Sequence, residues 1–173
     1  MRIETERLTL RPFAAQDLED LLEYLSDEET LRYEPYLPMN RQEAEQELAW
    51  RMTREEMIAV EHRQDGKLIG NLYLGQRDCE NKELGYVFNR AYWHKGYAKE
   101  ACLALIAESF AAGTHRIYAE CDPQNPASWH LLEALGFERA GHFRQNVYFF
   151  RDKEGKPIWK DTYLYEKLED GAE

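Results

Sequence analysis

The sequence is poor in the features that mark several large protein classes. Its three cysteines, Cys79, Cys102 and Cys121, are far apart and odd in number. Neither a disulfide framework nor a paired metal motif is implied, and the thiols read as reduced and structural. No apolar run approaches the roughly 18 residues of a membrane span, and the opening Met-Arg-Ile-Glu-Thr-Glu-Arg lacks the apolar core of a secretory signal. The expectation is a cytoplasmic chain with no membrane partner. Lysines and arginines are outnumbered 22 to 33 by acids, for a net charge of -11. That disfavours nucleic acid as a partner, because such binding depends on neutralising phosphates, and it mildly attracts a cationic substrate.

Glycine and proline are scattered, not gathered into a linker, and no repeat or low-complexity tract is present. The 173 residues, 43% of them hydrophobic, therefore suit one domain spanning 1-173.

Within it the periodicities alternate. Ile3 to Arg11 has a strand pattern that Pro12 breaks. Leu18, Leu21, Leu22 and Leu25 then recur at helical spacing, with Asp17 as cap. A second helix starts at Asn40 with Glu43 in the capping-box position, and Ala44, Leu48 and Met52 share one face. Met57 to Arg63, an Asp65-Gly66 turn and Leu68 to Gln76 read as a hairpin, and "ELGYVF" (83–88) as the next strand. A helix follows from Ala98 to about Gly113, then the strand "RIYAECD" (116–122). The next helix has Asn125 as cap, Pro126 at its first position and Gly136 as its stop. From about His142 the chain reads as two strands joined at "DKEGKP". The order β-α-α-β-β-β-α-β-α-β-β defines an α/β or α+β domain around one central sheet.

The segment "AYWHKGYAKEA" (91–101) enters its helix through Gly96 and Ala98. A helix start leaves backbone N–H groups unpaired and carries partial positive charge. Small residues there let an anion reach those amides, so His94 to Ala98 could cradle phosphate. Close strand-helix packing is the other reading of the same pattern. It is neither a Walker A loop nor a dinucleotide fingerprint.

"ELGYVFNRAYWHKGYAKEA" followed by "NPASWHLLEALGFERAG" resembles the acetyl-CoA-binding core of the GNAT N-acetyltransferases. The opening "IETERLTLRPF" and the ending "VYFFRDKEGKPIWKDTYLYEKL" are similar to the RimJ/RimL-like branch, named for ribosomal-protein N-terminal acetyltransferases. The resemblance covers nearly the whole chain. It implies a mixed, mostly antiparallel twisted sheet, splayed between its fourth and fifth strands ("ELGYVF" and "RIYAECD") and flanked by about four helices.

For the site, the resemblance puts Gly96 and Ala98 on the small positions of the phosphate loop, with the amides of His94, Lys95 and Tyr97 between and around them. Trp93 departs from the polar residue usual at the first position. Side chains of His94 and Lys95 could add charge or do nothing. The backbone near Val87 and Phe88 would hold the pantetheine arm, as an added strand would be held, while the Phe88 ring belongs to the core.

Transfer of acetyl from a thioester to an amine needs a proton acceptor for the amine and a proton donor for the leaving thiolate. Glu83 is the first candidate base, with Glu120 and Glu34 in reserve. The tyrosine acid common in the family would fall on Leu132. The resemblance instead pairs Asn125, holding the cofactor arm, with Ser128, donating to sulfur. Both could equally serve only as helix capping groups. Tyr33, Glu34 and Tyr36, with Leu37, lie where the resemblance puts the acceptor pocket.

The histidines show no metal-ligand spacing and no serine sits in a nucleophile elbow. No metal and no covalent intermediate are expected, only direct attack in a ternary complex of acetyl-CoA and a primary amine. That amine is a protein N-terminus or a small compound such as a polyamine, aminoglycoside or amino acid. A non-catalytic acyl-CoA-binding sensor is the reading from another class. Monomer and homodimer both remain open.

Overall fold

The computed structural model describes residues 1–169. Its strands are β1 (Ile3–Glu4), β2 (Leu8–Arg11), β3 (Met57–His62), β4 (Lys67–Gln76), β5 (Asn81–Phe88), β6 (Arg116–Cys121), β7 (Glu138–Arg151) and β8 (Pro157–Leu168). The helices are α1 (Leu18–Leu25), α2 (Arg41–Arg51), α3 (Tyr97–Ala111) and α4 (Pro126–Ala134). The strands form one sheet in the order β1-β2-β3-β4-β5-β6-β8-β7. Every neighbouring pair is antiparallel except β5 and β6, which run parallel. Among the described residues, no helix is long and apolar enough to cross a membrane.

The sheet is mixed and mostly antiparallel, as the family resemblance implied, but its first strand is two. The alternation from Ile3 to Arg11 is interrupted at residues 5–7, where the chain reverses and β1 pairs with β2. Thr5 makes the turn: its amide donates to the Leu8 carbonyl at 2.9 Å, and its Oγ1 accepts from the Leu8 amide at 3.0 Å. A hydroxyl bonding to nearby backbone competes with continued strand pairing at such positions. The expected splay between fourth and fifth strands therefore falls between β5 and β6.

Helix starts follow local chemistry in two cases. Asn40 Oδ1 accepts from the Glu43 amide at 3.0 Å, while the Asn40 amide donates to Glu43 Oε2 at 2.8 Å. Asn125 caps α4 through its side chain, with Pro126 next. Asp17 does not cap α1. Its carboxylate is buried against Arg11 at 2.7 Å and accepts from the Ala14 amide at 2.8 Å. The final strand pair also begins earlier than the sequence pattern, because Glu138 and Arg139 pair with Glu166 and Tyr165 of β8.

Period-two alternation divides the core between the two sheet faces. On β3, Ile58 and Val60 join a cluster with Ala101, Cys102, Leu105 and Ile106 of α3 and Leu132 of α4. Met57 and Ala59 join a second cluster with Leu21, Tyr24 and Leu25 of α1 and Leu48 of α2. Each fully buried leucine or isoleucine in these layers contributes about 1.5–3 kcal/mol from burial. On β5, Leu84 and Phe88 point into the first cluster and Val87 into the second. β5 is thereby fixed from both faces up to the point where its edge opens.

Candidate active site

β5 and β6 are paired only at Asn81↔Arg116, Lys82↔Ile117 and Glu83↔Tyr118. β5 then continues to Phe88 and β6 to Cys121, so the two diverge. A cleft of about 440 Å³ occupies the opening, lined by Leu84, Gly85 and Tyr86 on one side and Glu120, Cys121 and Asp122 on the other. A strand edge released from its neighbour presents amide and carbonyl groups that an extended amide-bearing ligand can take up. The Phe88 carbonyl is not among them, since it accepts from Trp93 Nε1 at 2.7 Å. The open edge consists of residues 84–87.

That bond gives Trp93 a physical role. It ties the loop after β5 back to the strand's end and sets where α3 begins. Beyond it, His94 has φ +59° and Gly96 φ +81°. Alternation into the left-handed region turns successive amides toward one side, which makes an anion-binding concavity. Gly96 is the N-cap of α3, and its carbonyl accepts from the Glu100 amide at 3.0 Å. The amides of Tyr97, Ala98 and Lys99 thus lie before the first intrahelical bond. Those of His94, Lys95 and Gly96 donate to no group among the described residues. The chain therefore carries what a phosphate cradle needs, in backbone groups.

Side chains of the loop point elsewhere. Lys95 Nζ donates to the Ala91 carbonyl at 3.0 Å and lies 5.4 Å over the Tyr92 ring. The Tyr97 hydroxyl is 3.1 Å from His62 Nε2. His94 is exposed.

At the other wall of the cleft, α4 presents Ser128. Its Oγ lies 2.8 Å from the Tyr86 hydroxyl, which also reaches the Ser128 carbonyl at 3.1 Å. Burial pushes the Tyr86 phenol well above its ordinary range and Cys121 up to about 11, so both keep their protons at neutral pH. Asn125 Oδ1 accepts from the Ser128 amide at 3.3 Å, fixing the turn that delivers the serine. Leu132, where the family's tyrosine would stand, is fully buried.

Five carboxylates line the cleft with these hydroxyls, Glu34, Glu83, Glu120, Asp122 and Asp161, and the three glutamates are the candidate bases. Glu83 is paired with Arg77. Glu120 is raised by burial and by the nearby Glu83 charge. Glu34 is half-buried, and desolvation lifts it to about 7 against the opposing field of Arg51. Arg51 is itself spent on Glu47 Oε1 at 2.7 Å and Asn71 Oδ1 at 2.8 Å. The loop carrying Glu34 is anchored across the cleft by Tyr33, whose hydroxyl donates to the Gln124 carbonyl at 2.8 Å.

The structure thus brings Tyr33, Glu34, Glu83, Asn125 and Ser128 into one cleft. Tyr36 packs beside the second core cluster, and burial pushes its phenol upward. The side chains of Val87 and Phe88 are buried. Residues 94–98 lie outside the cleft lining, at the start of the helix that follows β5. Tyr86, Asp122 and Lys160 were missed. Tyr86 stands on the core-facing side of β5 between Leu84 and Phe88, and an aromatic with a hydroxyl in such a position must find a polar partner. That requirement was the available signal. Asp122 and Lys160 form an ion pair across the cleft wall, and nothing local in the sequence joins them.

A sheet opened between two parallel strands, beside a helix start with unclaimed amides, can receive an extended ligand that carries amides along its arm and an anion at its end. A profile described as an acetyltransferase (GNAT) domain matches residues 7–138, and the chain belongs to that family. It is 32% identical to an uncharacterized N-acetyltransferase, YnaD, of Bacillus subtilis (strain 168), with 98% of each chain covered. A GNAT-family acetyltransferase from Bacillus anthracis has the same fold with a TM-score of 0.89 at 31% identity, over 98% of this chain and 99% of that one. A more distant structure is a spermidine N-acetyltransferase from Vibrio cholerae, solved with CoA and spermine. It shares the fold alone, at a TM-score of 0.78 and 22% identity over 96% and 98% of the chains. The chain is an N-acetyltransferase.

Proposed function

We propose that the chain moves acetyl from acetyl-CoA to a primary amine by direct attack in the β5–β6 cleft, as a RimJ/RimL-like enzyme. The observation that carries this is the gathering of a hydroxyl pair, Ser128 and Tyr86, and three glutamates around one opened strand edge. The pantetheine arm lies along residues 84–87, the phosphates on the amides of 94–99, and Asn125 meets the arm at the α4 turn. The amine nitrogen bonds to the acyl carbon as the C–S bond breaks. A cleft carboxylate, with Glu83 the first choice, takes the amine's proton directly or through water. Ser128 gives its proton to the thiolate and regains one through Tyr86. Tyr33, Glu34 and Tyr36 form the acceptor side.

The RimJ/RimL-like placement, and a protein N-terminus as acceptor, rest on the opening "TERLTLRPF" and the closing hairpin. A small amine is the second reading, favoured by the Tyr33–Gln124 bond, which ties the loop carrying Glu34 to the segment before α4. We treat 1-173 as a single cytoplasmic domain, in keeping with its free cysteines. The test is CoA release from acetyl-CoA with a panel of N-terminal peptides and small amines. Turnover on the peptides supports the first reading and turnover confined to small amines the second. CoA binding without any turnover would select a sensor.

A further inference from the structure

The N-terminal hairpin reaches the start of α3. Glu100, in the first turn, is gripped from three sides: Thr5 Oγ1 donates to Oε1 at 2.6 Å, the Arg7 amide to Oε1 at 2.9 Å, and Arg7 Nε to Oε2 at 2.7 Å. Arg7 Nη1 donates to the Lys95 carbonyl at 2.9 Å, and the guanidinium lies 4.4 Å over the Tyr97 ring. A Cβ added to Gly96 would stand 3.3 Å from Arg7 Nη2. One side chain therefore touches Lys95, Tyr97 and Glu100 and closely approaches Gly96, spanning both sides of the left-handed residue that opens the helix.

These contacts act on the cradle in two ways. A carboxylate in the first turn is an internal anion close enough to the free N-terminal amides to oppose an incoming phosphate. Thr5 and Arg7 take up the Glu100 oxygens and neutralise the charge. The bond to the Lys95 carbonyl meanwhile fixes the Lys95–Gly96 peptide, and with it the direction of the following amides. We propose that Arg7, acting with Glu100, is a positioning residue of the acetyl-CoA site, holding the phosphate loop in its binding shape and keeping a competing carboxylate out of it. This rests on the reading that the loop binds the phosphates of acetyl-CoA. It also accounts for the "TERL" segment, whose polar side chains at Thr5 and Arg7 face this helix.

The test compares wild type with Arg7→Ala, Arg7→Lys, Glu100→Gln, the Arg7→Ala/Glu100→Gln double variant and, as a control, Arg11→Ala. The control breaks the buried Arg11–Asp17 pair on the same hairpin, away from the loop. CoA affinity is read by calorimetry, amide exchange of residues 94–99 by mass spectrometry, and stability by thermal melting. Arg7→Ala weakens CoA binding about tenfold and speeds exchange in the loop. The double variant binds CoA more tightly than Arg7→Ala, because the uncompensated carboxylate is gone. Arg7→Lys, which keeps the charge but loses the fork, falls between wild type and alanine. Arg11→Ala lowers the melting temperature and leaves both other readouts in place. Wild-type CoA affinity and loop exchange in Arg7→Ala would overturn the proposal, as would an equal loss of affinity in Arg11→Ala. Should Arg7→Ala not fold, Arg7→Lys and Glu100→Gln decide by the same criteria. Failure of the wild type to bind CoA would sink the reading of the loop itself, and unchanged exchange in the Arg7 variants would separately sink the clamp.

Discussion

The hydroxyls of Tyr86 and Ser128 lie 2.8 Å apart, one from β5 and one from α4, across the point where the sheet opens. Replacing Ser128 by Ala removes the group nearest the leaving sulfur in this account. Turnover at saturating acetyl-CoA falls on the order of 100-fold with a smaller change in CoA affinity. Tyr86→Phe keeps the ring and loses only the second hydroxyl, so its turnover falls less. Steady-state kinetics on both variants check this order, and retained turnover in Ser128→Ala would assign thiolate protonation to water.

Burial of Glu34 makes the stability of the fold depend on pH. Its carboxyl is raised to about 7 from an ordinary 4.5, first by burial and against the Arg51 field. Below the ordinary value both folded and unfolded chains hold the proton. Between 4.5 and 7 the unfolded chain has released it and the folded chain has not, so stability falls as pH rises through that window. Glu34→Gln removes the penalty. It melts about 2 °C or more above wild type at pH 8, and the gap closes towards pH 4.5. Thermal melts across this range give the answer.

Gly96→Glu places bulk and negative charge where the φ is +81° and Arg7 Nη2 is close. The apparent constant for acetyl-CoA rises about tenfold or more, since both the backbone conformation and the charge oppose phosphate binding. Titration of CoA monitored by calorimetry reads this directly, and an unchanged affinity would remove the loop from the site.

Gly70 tests the packing that supports β5. A Cβ there would lie 2.6 Å from the Val87 carbonyl and 2.8 Å from Phe88 Cδ1, on the cross-strand neighbour. Gly70→Ala therefore displaces the end of β5 and costs about 2 kcal/mol or more. Its urea midpoint is the measurement, and a neutral result would mean that β5 yields easily.

What the sequence disclosed was what local chemistry decides. Asn40 with Glu43, and Asn125 with Pro126, announced their helices because capping involves residues three apart. Gly96 marked the entry to α3 through its own backbone freedom, with φ +81°. The break between β1 and β2 was hidden, because the two-residue alternation of the sequence continues across it, while Thr5 turns the chain on Leu8 and also reaches Glu100, 95 residues away. Asp17 looked like a cap until Arg11 claimed its carboxylate. Tyr86 read as one more strand aromatic, and only the divergence of β5 from β6 gives its hydroxyl a place in the site. The cleft is lined by a loop, four strands (β5, β6, β7 and β8) and the start of α4, so no short pattern could announce it.

The central claim is that acetyl passes from acetyl-CoA to a primary amine without resting on the protein. The most direct measurement is a single-turnover reaction of excess enzyme with acetyl-CoA and an accepted amine, in which free CoA, acetylated amine and acetylated protein are quantified together by mass spectrometry. The account predicts that CoA and acetylated amine appear at the same rate and in equal amounts, with no acetyl-protein at any time. CoA released ahead of product, with acetyl held on a side chain such as Ser128 or Cys121, would contradict it.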